Sequence, residues 1–130
     1  MVVDSSALAA IVFGEDDAER YLGELEHAHD VYLSAATLLE ARIVVEARKG
    51  DDAGRDLTLL IREVGMQVLP VDEAQADAAF RAWRRFGKGR HAAALNLGDC
   101  FSYALATALD EPLLFKGNDF VATDVRSALV

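Results

Sequence analysis

Four carboxylates in the 130-residue chain have settings that suit chemistry: Asp4, Glu40, Asp99 and Asp119. Asp4 follows the short apolar opening Met1-Val2-Val3. Asp99 lies in Asn96-Leu97-Gly98-Asp99-Cys100-Phe101, and Asp119 lies in Leu114-Phe115-Lys116-Gly117-Asn118-Asp119. Taken singly, each has an ordinary explanation. Asp4 and Asp99 can serve as helix N-caps, Glu40 as a surface acid and Asp119 as a loop acid. Ser5 or Ser6 could cap as well as Asp4, so a carboxylate is not required there, and the Ser6 hydroxyl is placed to hold it. The segment after Asp99 is apolar on nearly every side (Cys100, Phe101, Ala104, Leu105, Ala106), which predicts a largely buried helix. A carboxylate at its entrance needs a partner, because a lone buried charge is costly.

Brought together, such acids would repel one another, and a hard cation would resolve the repulsion. An oxygen-only donor set suits Mg²⁺, with Mn²⁺ able to substitute. A cation held this way can lower the pKa of a bound water and neutralise charge on a scissile phosphate. His27, His29, His91 and the single Cys100 are too few and too scattered for a zinc site. A GxxxxGK[ST] loop is absent, as are the motifs of serine and cysteine nucleophiles.

The elements that must position these acids can be read coarsely. Met1–Val3, Val31–Ser34, Met66–Val71 and Leu113–Phe115 read as short strands. Helices are predicted over 7–12, 16–29, 35–49, 51–64, 72–86 and 98–109, with Asp72 as a cap and Gly50 and Gly65 as stops. Residues 36, 39, 43 and 47 form an apolar stripe beside Glu40. Strands alternating with helices predict an α/β fold of three layers, α/β/α, around a mainly parallel sheet of four or five short strands. There is no linker, repeat or low-complexity segment, so one domain is expected over 1–130. In such folds working residues gather beyond the carboxyl ends of the strands, and Asp4, Asp99 and Asp119 each fall just after a strand or at a helix start.

The 13 basic and 22 acidic residues give a net charge of −9, and 52% of residues are apolar, which excludes a disordered chain. One cysteine excludes an internal disulfide and suits a reducing compartment. No apolar run approaches the roughly 20 residues that span a bilayer, and the opening residues show no leader, so a cytoplasmic protein without a membrane partner is expected. The charge is uneven. No acid lies between Ala78 and Gly98, where Arg81, Arg84, Arg85, Lys88 and Arg90 accumulate. Arg84, Arg85, Lys88 and Arg90, with Lys116, are candidates to track a nucleic-acid backbone. Trp83 reads more readily as core than as a stacking platform.

These residues resemble a PIN-domain ribonuclease of the VapC type, from toxin–antitoxin pairs. The likeness rests on Val3-Asp4-Ser5-Ser6, on Glu40 within Ala35-Ala36-Thr37-Leu38-Leu39-Glu40-Ala41, on Gly98-Asp99-Cys100-Phe101-Ser102-Tyr103-Ala104, and on Leu113 to Phe120. It spans nearly the whole chain, through the order and spacing of motifs rather than any one of them. The resemblance implies a Mg²⁺- or Mn²⁺-dependent endoribonuclease with Asp4 and Asp99 as main metal ligands. Glu40 would orient or deprotonate water, Ser6 would support, and Asp119 would be the fourth acid. Many PIN domains place that acid where Gly117 stands, so Asp124 is held in reserve. The resemblance also implies an RNA substrate, a VapB-type antitoxin and a homodimer.

Two other classes fit parts of the pattern. A phosphoryl-accepting receiver domain has a similar sheet, an acidic pocket and a lysine after the last strand, the place that Lys116 takes here. It needs paired acids after the first strand, however, and Asp4 is alone. A non-catalytic nucleic-acid or protein-binding module would use the same acids merely as caps.

Overall fold

The computed structural model describes residues 1–129. The chain opens on β1 (Val2–Val3), followed by α1 (Ser5–Val12), α2 (Ala18–His27) and β2 (Tyr32–Ser34). The long α3 (Ala35–Val64) is broken at Gly50, whose φ of 78° and ψ of −170° lie outside the helical region. It therefore runs as two segments, 35–49 and 51–64, divided where the sequence places the break. Gly65 ends it in the left-handed conformation, with φ of 74°, which glycine adopts without a Cβ penalty. β3 (Gln67–Leu69), α4 (Glu73–Phe86), α5 (Leu97–Leu109) and β4 (Leu113–Leu114) complete the order. Asp72 caps α4 by accepting a hydrogen bond from the Gln75 amide at 2.8 Å.

The four strands form one sheet in the order β3-β2-β1-β4, and every pairing is parallel. Residues 126–128 return beside β4. Leu113 donates its amide to the Arg126 carbonyl and accepts from the Ala128 amide.

Side chains alternate across the strands, as a pleated sheet requires, and this divides the core in two. Val3, Leu33 and Leu114 face α1, α2 and α3, packing with Leu8, Leu25, Val45 and Leu57. Val2 and Leu113 face α4 and α5, packing with Phe86, Leu95, Tyr103 and Leu105. Helices on both faces make the three-layer α/β/α arrangement. Strands buried on both faces read as plain apolar runs rather than alternating ones. Among the described residues no helix is long and apolar enough to cross a membrane.

Two sequence expectations fail in the packing. The stripe that α3 buries is Thr37, Ala41 and Val45, not 36, 39, 43 and 47; Leu39 and Ile43 are 60% and 59% exposed. The buried stripe is small because α3 packs closely on the alanine-rich α1, where Ala7 and Ala10 are buried. Trp83 is not core either. It is 37% exposed and stacks on Phe80, with ring centroids 5.9 Å apart.

Candidate active site

Because all strands run the same way, their carboxyl ends share one edge, and β1 lies inside the sheet between β2 and β4. The residue that leaves β1 is Asp4, so its side chain sits centrally on that edge. It caps α1 by accepting from the Ser6 amide at 3.1 Å. The same oxygen, Oδ2, accepts from the Ser6 hydroxyl at 2.6 Å. Oδ1 accepts from the hydroxyl of Ser102, on α5, at 2.5 Å. Asp4 is thus both a cap and a buried, fully oriented carboxylate.

Glu40 projects from the first part of α3, half-buried, and accepts a hydrogen bond from the Ser5 hydroxyl at 2.6 Å. Gly98, next to Asp99, lies against the Glu40 carboxylate so closely that a Cβ there would collide with it. The glycine at 98 is therefore what lets the start of α5 approach Glu40.

Asp99 is not the N-cap that the sequence suggests. Asn96 is the cap, and Asp99 stands three residues on in a reciprocal capping box. The Asn96 side chain accepts from the Asp99 amide at 2.9 Å, and Asp99 accepts from the Asn96 amide at 3.0 Å. Its carboxyl is pushed up to about 7, first by burial and then by the negative charges of Asp119, Asp4 and Glu40, against the opposing Asn96 amide. The four acids that the sequence singles out thus share one electrostatic neighbourhood, though Asp119 itself is exposed. Among the described residues no three His, Cys, Asp or Glu side chains form a ready-made metal cage.

Other candidates are placed elsewhere. Asp124 accepts a short hydrogen bond from the Tyr103 hydroxyl and pairs with Arg85 at 3.1 Å. Those contacts hold its carboxyl below the usual range and commit it to tying the C-terminal segment to α5. It does not join the acidic group. Lys116 is likewise not a free phosphate contact. Its ammonium is held by Glu15 and Asp17, at the turn before α2, while its backbone amide donates to the Ser6 hydroxyl at 3.0 Å. Arg85 is divided between Asp124 and the face of Phe86. Arg84, Lys88 and Arg90 remain exposed at the end of α4 and beyond, with the Arg90 guanidinium 5.0 Å above the Trp83 ring. Asp72, the acid after β3, is exposed and caps α4.

Sequence reasoning missed Ser5, Thr37, Asn96 and Ser102. Thr37 and Ser102 are fully enclosed and lie 3.2 Å apart, hydroxyl to hydroxyl. The available signal was spacing: Thr37 is one helical turn before Glu40, and Ser102 one turn after Asp99, so each shares a face with an acid.

On this parallel α/β/α frame, the PIN-domain family profile matches residues 1–126. The chain belongs to the PIN-domain family. Within it the chain is 49% identical over 127 residues to Ribonuclease VapC30 of Mycobacterium tuberculosis, covering 98% of this chain and 97% of the relative. It is 50% identical to a Ribonuclease VapC of Mycolicibacterium smegmatis, covering 98% of each. Among solved structures, VapC20 of M. tuberculosis, described as a sarcin–ricin loop cleaving toxin, superposes with a TM-score of 0.78. The identity is 19%, over 95% of each chain, so this likeness concerns the fold. FitAcB from Neisseria gonorrhoeae matches with a TM-score of 0.65 at 22% identity, over 97% of this chain and 94% of that one.

Proposed function

We propose that this chain, acting as one domain, is a Mg²⁺-dependent endoribonuclease, the toxin of a toxin–antitoxin pair, with Mn²⁺ able to replace Mg²⁺. The observation that carries the reading is Asp99. It is a buried carboxyl made difficult to ionise by its enclosure and by three other acids, on a chain whose relatives are named ribonucleases. An oxygen-only set with surplus negative charge fits a hard divalent ion. A loose group rather than a closed cage suits an ion that keeps several waters and binds through one or two carboxylates. Asp4 and Asp99 would hold it.

When bound, the ion supplies charge neutralisation at the scissile phosphate and acidifies a water. The chain's own side chains do the rest. Glu40, fixed by Ser5 and kept clear of α5 by Gly98, is the group to take the proton of the attacking water. Asp4 is held in one orientation by its hydroxyl donors, with Ser6 in support. Asp119, exposed at the rim, adds to the negative field.

RNA would approach over Arg84, Lys88 and Arg90, beside a hollow of about 590 Å³ lined by Phe80, Trp83, Lys88, Leu97 and Phe101. Removing Arg84 and Lys88 together should weaken binding by phosphate neutralisation alone. The slope of log affinity against log salt should then fall by about two; an unchanged slope in filter binding removes this route. The other partners rest on the family. An antitoxin arginine would pair bidentately with the acids. A homodimer would cover the exposed Leu39, Ile43 and Leu97, and light scattering reads it directly. A toxin that cleaves cellular RNA would act in the cytoplasm.

The test of the activity is digestion of total RNA with Mg²⁺, with Mn²⁺ and with chelator. Cleavage is expected in the first two and its loss in the third. RNA left intact under every divalent ion overturns the reading.

A further inference from the structure

We infer that Thr37 and Ser102 are positioning residues that fix the orientation of Asp4 through a directed pair of hydrogen bonds reaching it from beneath the sheet edge. The inference rests on the proposed metal-dependent activity, and it concerns residues that touch neither substrate nor metal.

Proton counting gives the direction. A hydroxyl has one proton to donate, and an ionised carboxylate only accepts. Ser102 spends its proton on Asp4 Oδ1 at 2.5 Å. In its 3.2 Å contact with Thr37 the Ser102 oxygen must therefore accept, and Thr37 must donate. The other carboxylate oxygen has a matching arrangement. Ser6 donates to Oδ2 at 2.6 Å, while its own oxygen accepts from the Lys116 amide at 3.0 Å. A backbone N–H only donates, so the Ser6 proton is forced toward Asp4. Each oxygen of Asp4 thus receives a hydroxyl that is itself polarised by a further donor, an arrangement in which successive bonds strengthen one another.

Burial makes the inner arm consequential. Thr37 is 1% exposed and Ser102 0%, so water is not at hand to replace a lost partner. Every buried side-chain polar atom among the described residues has a hydrogen-bond partner. The two residues come from α3 and α5, the helices that also carry Glu40 and Asp99. Hence the same contact that aims Asp4 sets the spacing of the elements bearing the other two acids. Partners that orient a metal ligand typically matter 10–100-fold in metal affinity.

The test is Mn²⁺ binding by titration calorimetry without RNA, alongside cleavage rate as a function of Mn²⁺ concentration. Ser102→Ala should weaken Mn²⁺ binding by about 10-fold or more, and Thr37→Val by about 3–10-fold. Both should raise the Mn²⁺ concentration needed for half-maximal rate by the same factor. Thr37→Ser, which keeps the donor, should return affinity to within about 2-fold of the parent, which mere loss of packing would not predict. Thermal melts in chelator report whether each variant is folded. If Ser102→Ala fails to fold, the Thr37→Val and Thr37→Ser pair decides. Variants that fold and bind Mn²⁺ as the parent does overturn the inference and leave the activity standing. A parent that neither binds Mn²⁺ nor cleaves RNA removes the activity and the inference with it.

Discussion

Asp99→Asn should abolish RNA cleavage and yet give a protein that, stripped of metal, melts at a higher temperature than the parent. The two effects have one cause. Asp99 is 7% exposed and carries a charge that its surroundings oppose, by burial and by the fields of Asp119, Asp4 and Glu40. Asparagine keeps the shape and can accept the Asn96 amide bond that closes the capping box. It is uncharged, so at pH 8 the folded state loses a repulsion that the unfolded chain never felt. A gain of about 1–3 kcal/mol is expected, less than the full shift implies because water and counter-ions reach the open side of the site. The same neutrality removes a ligand that a divalent ion needs. Loss of roughly 10³-fold in cleavage rate corresponds to about 4 kcal/mol of transition-state stabilisation, the order a metal-held phosphate demands. Scanning calorimetry at pH 8 in chelator and a gel assay in Mg²⁺ read the two halves. Equal melting temperatures would show that the acids do not burden one another. A variant that still cleaves would take Asp99 out of the reaction.

The frame of this site is legible in the sequence because its determinants are local. Val2-Val3 followed by an Asp-Ser-Ser cap, Gly50 interrupting a long helical pattern, and an apolar helix opening near Gly98-Asp99 are each decided within a few residues. What escapes is decided by residues far apart in the chain. Ser102 and Thr37 are 65 positions apart, and nothing in either neighbourhood says that their hydroxyls meet beneath Asp4. Lys116, alone after the last strand, looks like a phosphate contact until folding places it against Glu15 and Asp17, whose carboxylates saturate it. Asp124 looks like a spare acid until Tyr103 and Arg85 claim it. The α3 stripe misleads for another reason. Two helical faces compete, and the more apolar one, with Leu39 and Ile43, is outside. Close packing on α1 selects small side chains at Ala41 and Val45, not large ones. Composition alone favours the wrong face.

Metal-free protein should lose stability as pH rises from about 5 to 8, and saturating Mg²⁺ should remove that slope. A carboxyl near its ordinary value of 3.8 in the unfolded chain and at about 7 in the fold binds its proton more tightly when folded. Between those values the folded state holds more protons than the unfolded one, so stability declines with rising pH and levels off above 7. The steepest possible decline is about 1.4 kcal/mol per pH unit. A total of about 1–3 kcal/mol is expected from this one group, because the open face of the site is solvated. Depressed carboxyls such as Asp124 oppose the trend only in more acidic solution, near and below their unfolded value. A divalent ion binds the deprotonated form, so each pH unit below 7 should cost up to about tenfold in apparent Mg²⁺ affinity as the proton competes. Cleavage should fall in parallel. Melting temperatures measured across this range in chelator and in Mg²⁺, for the parent and for Asp99→Asn, separate this group from every other titrating residue. The parent curves should diverge with rising pH while those of the variant stay parallel. Parallel parent curves would mean that Asp99 is neither burdened in the free protein nor relieved by the ion.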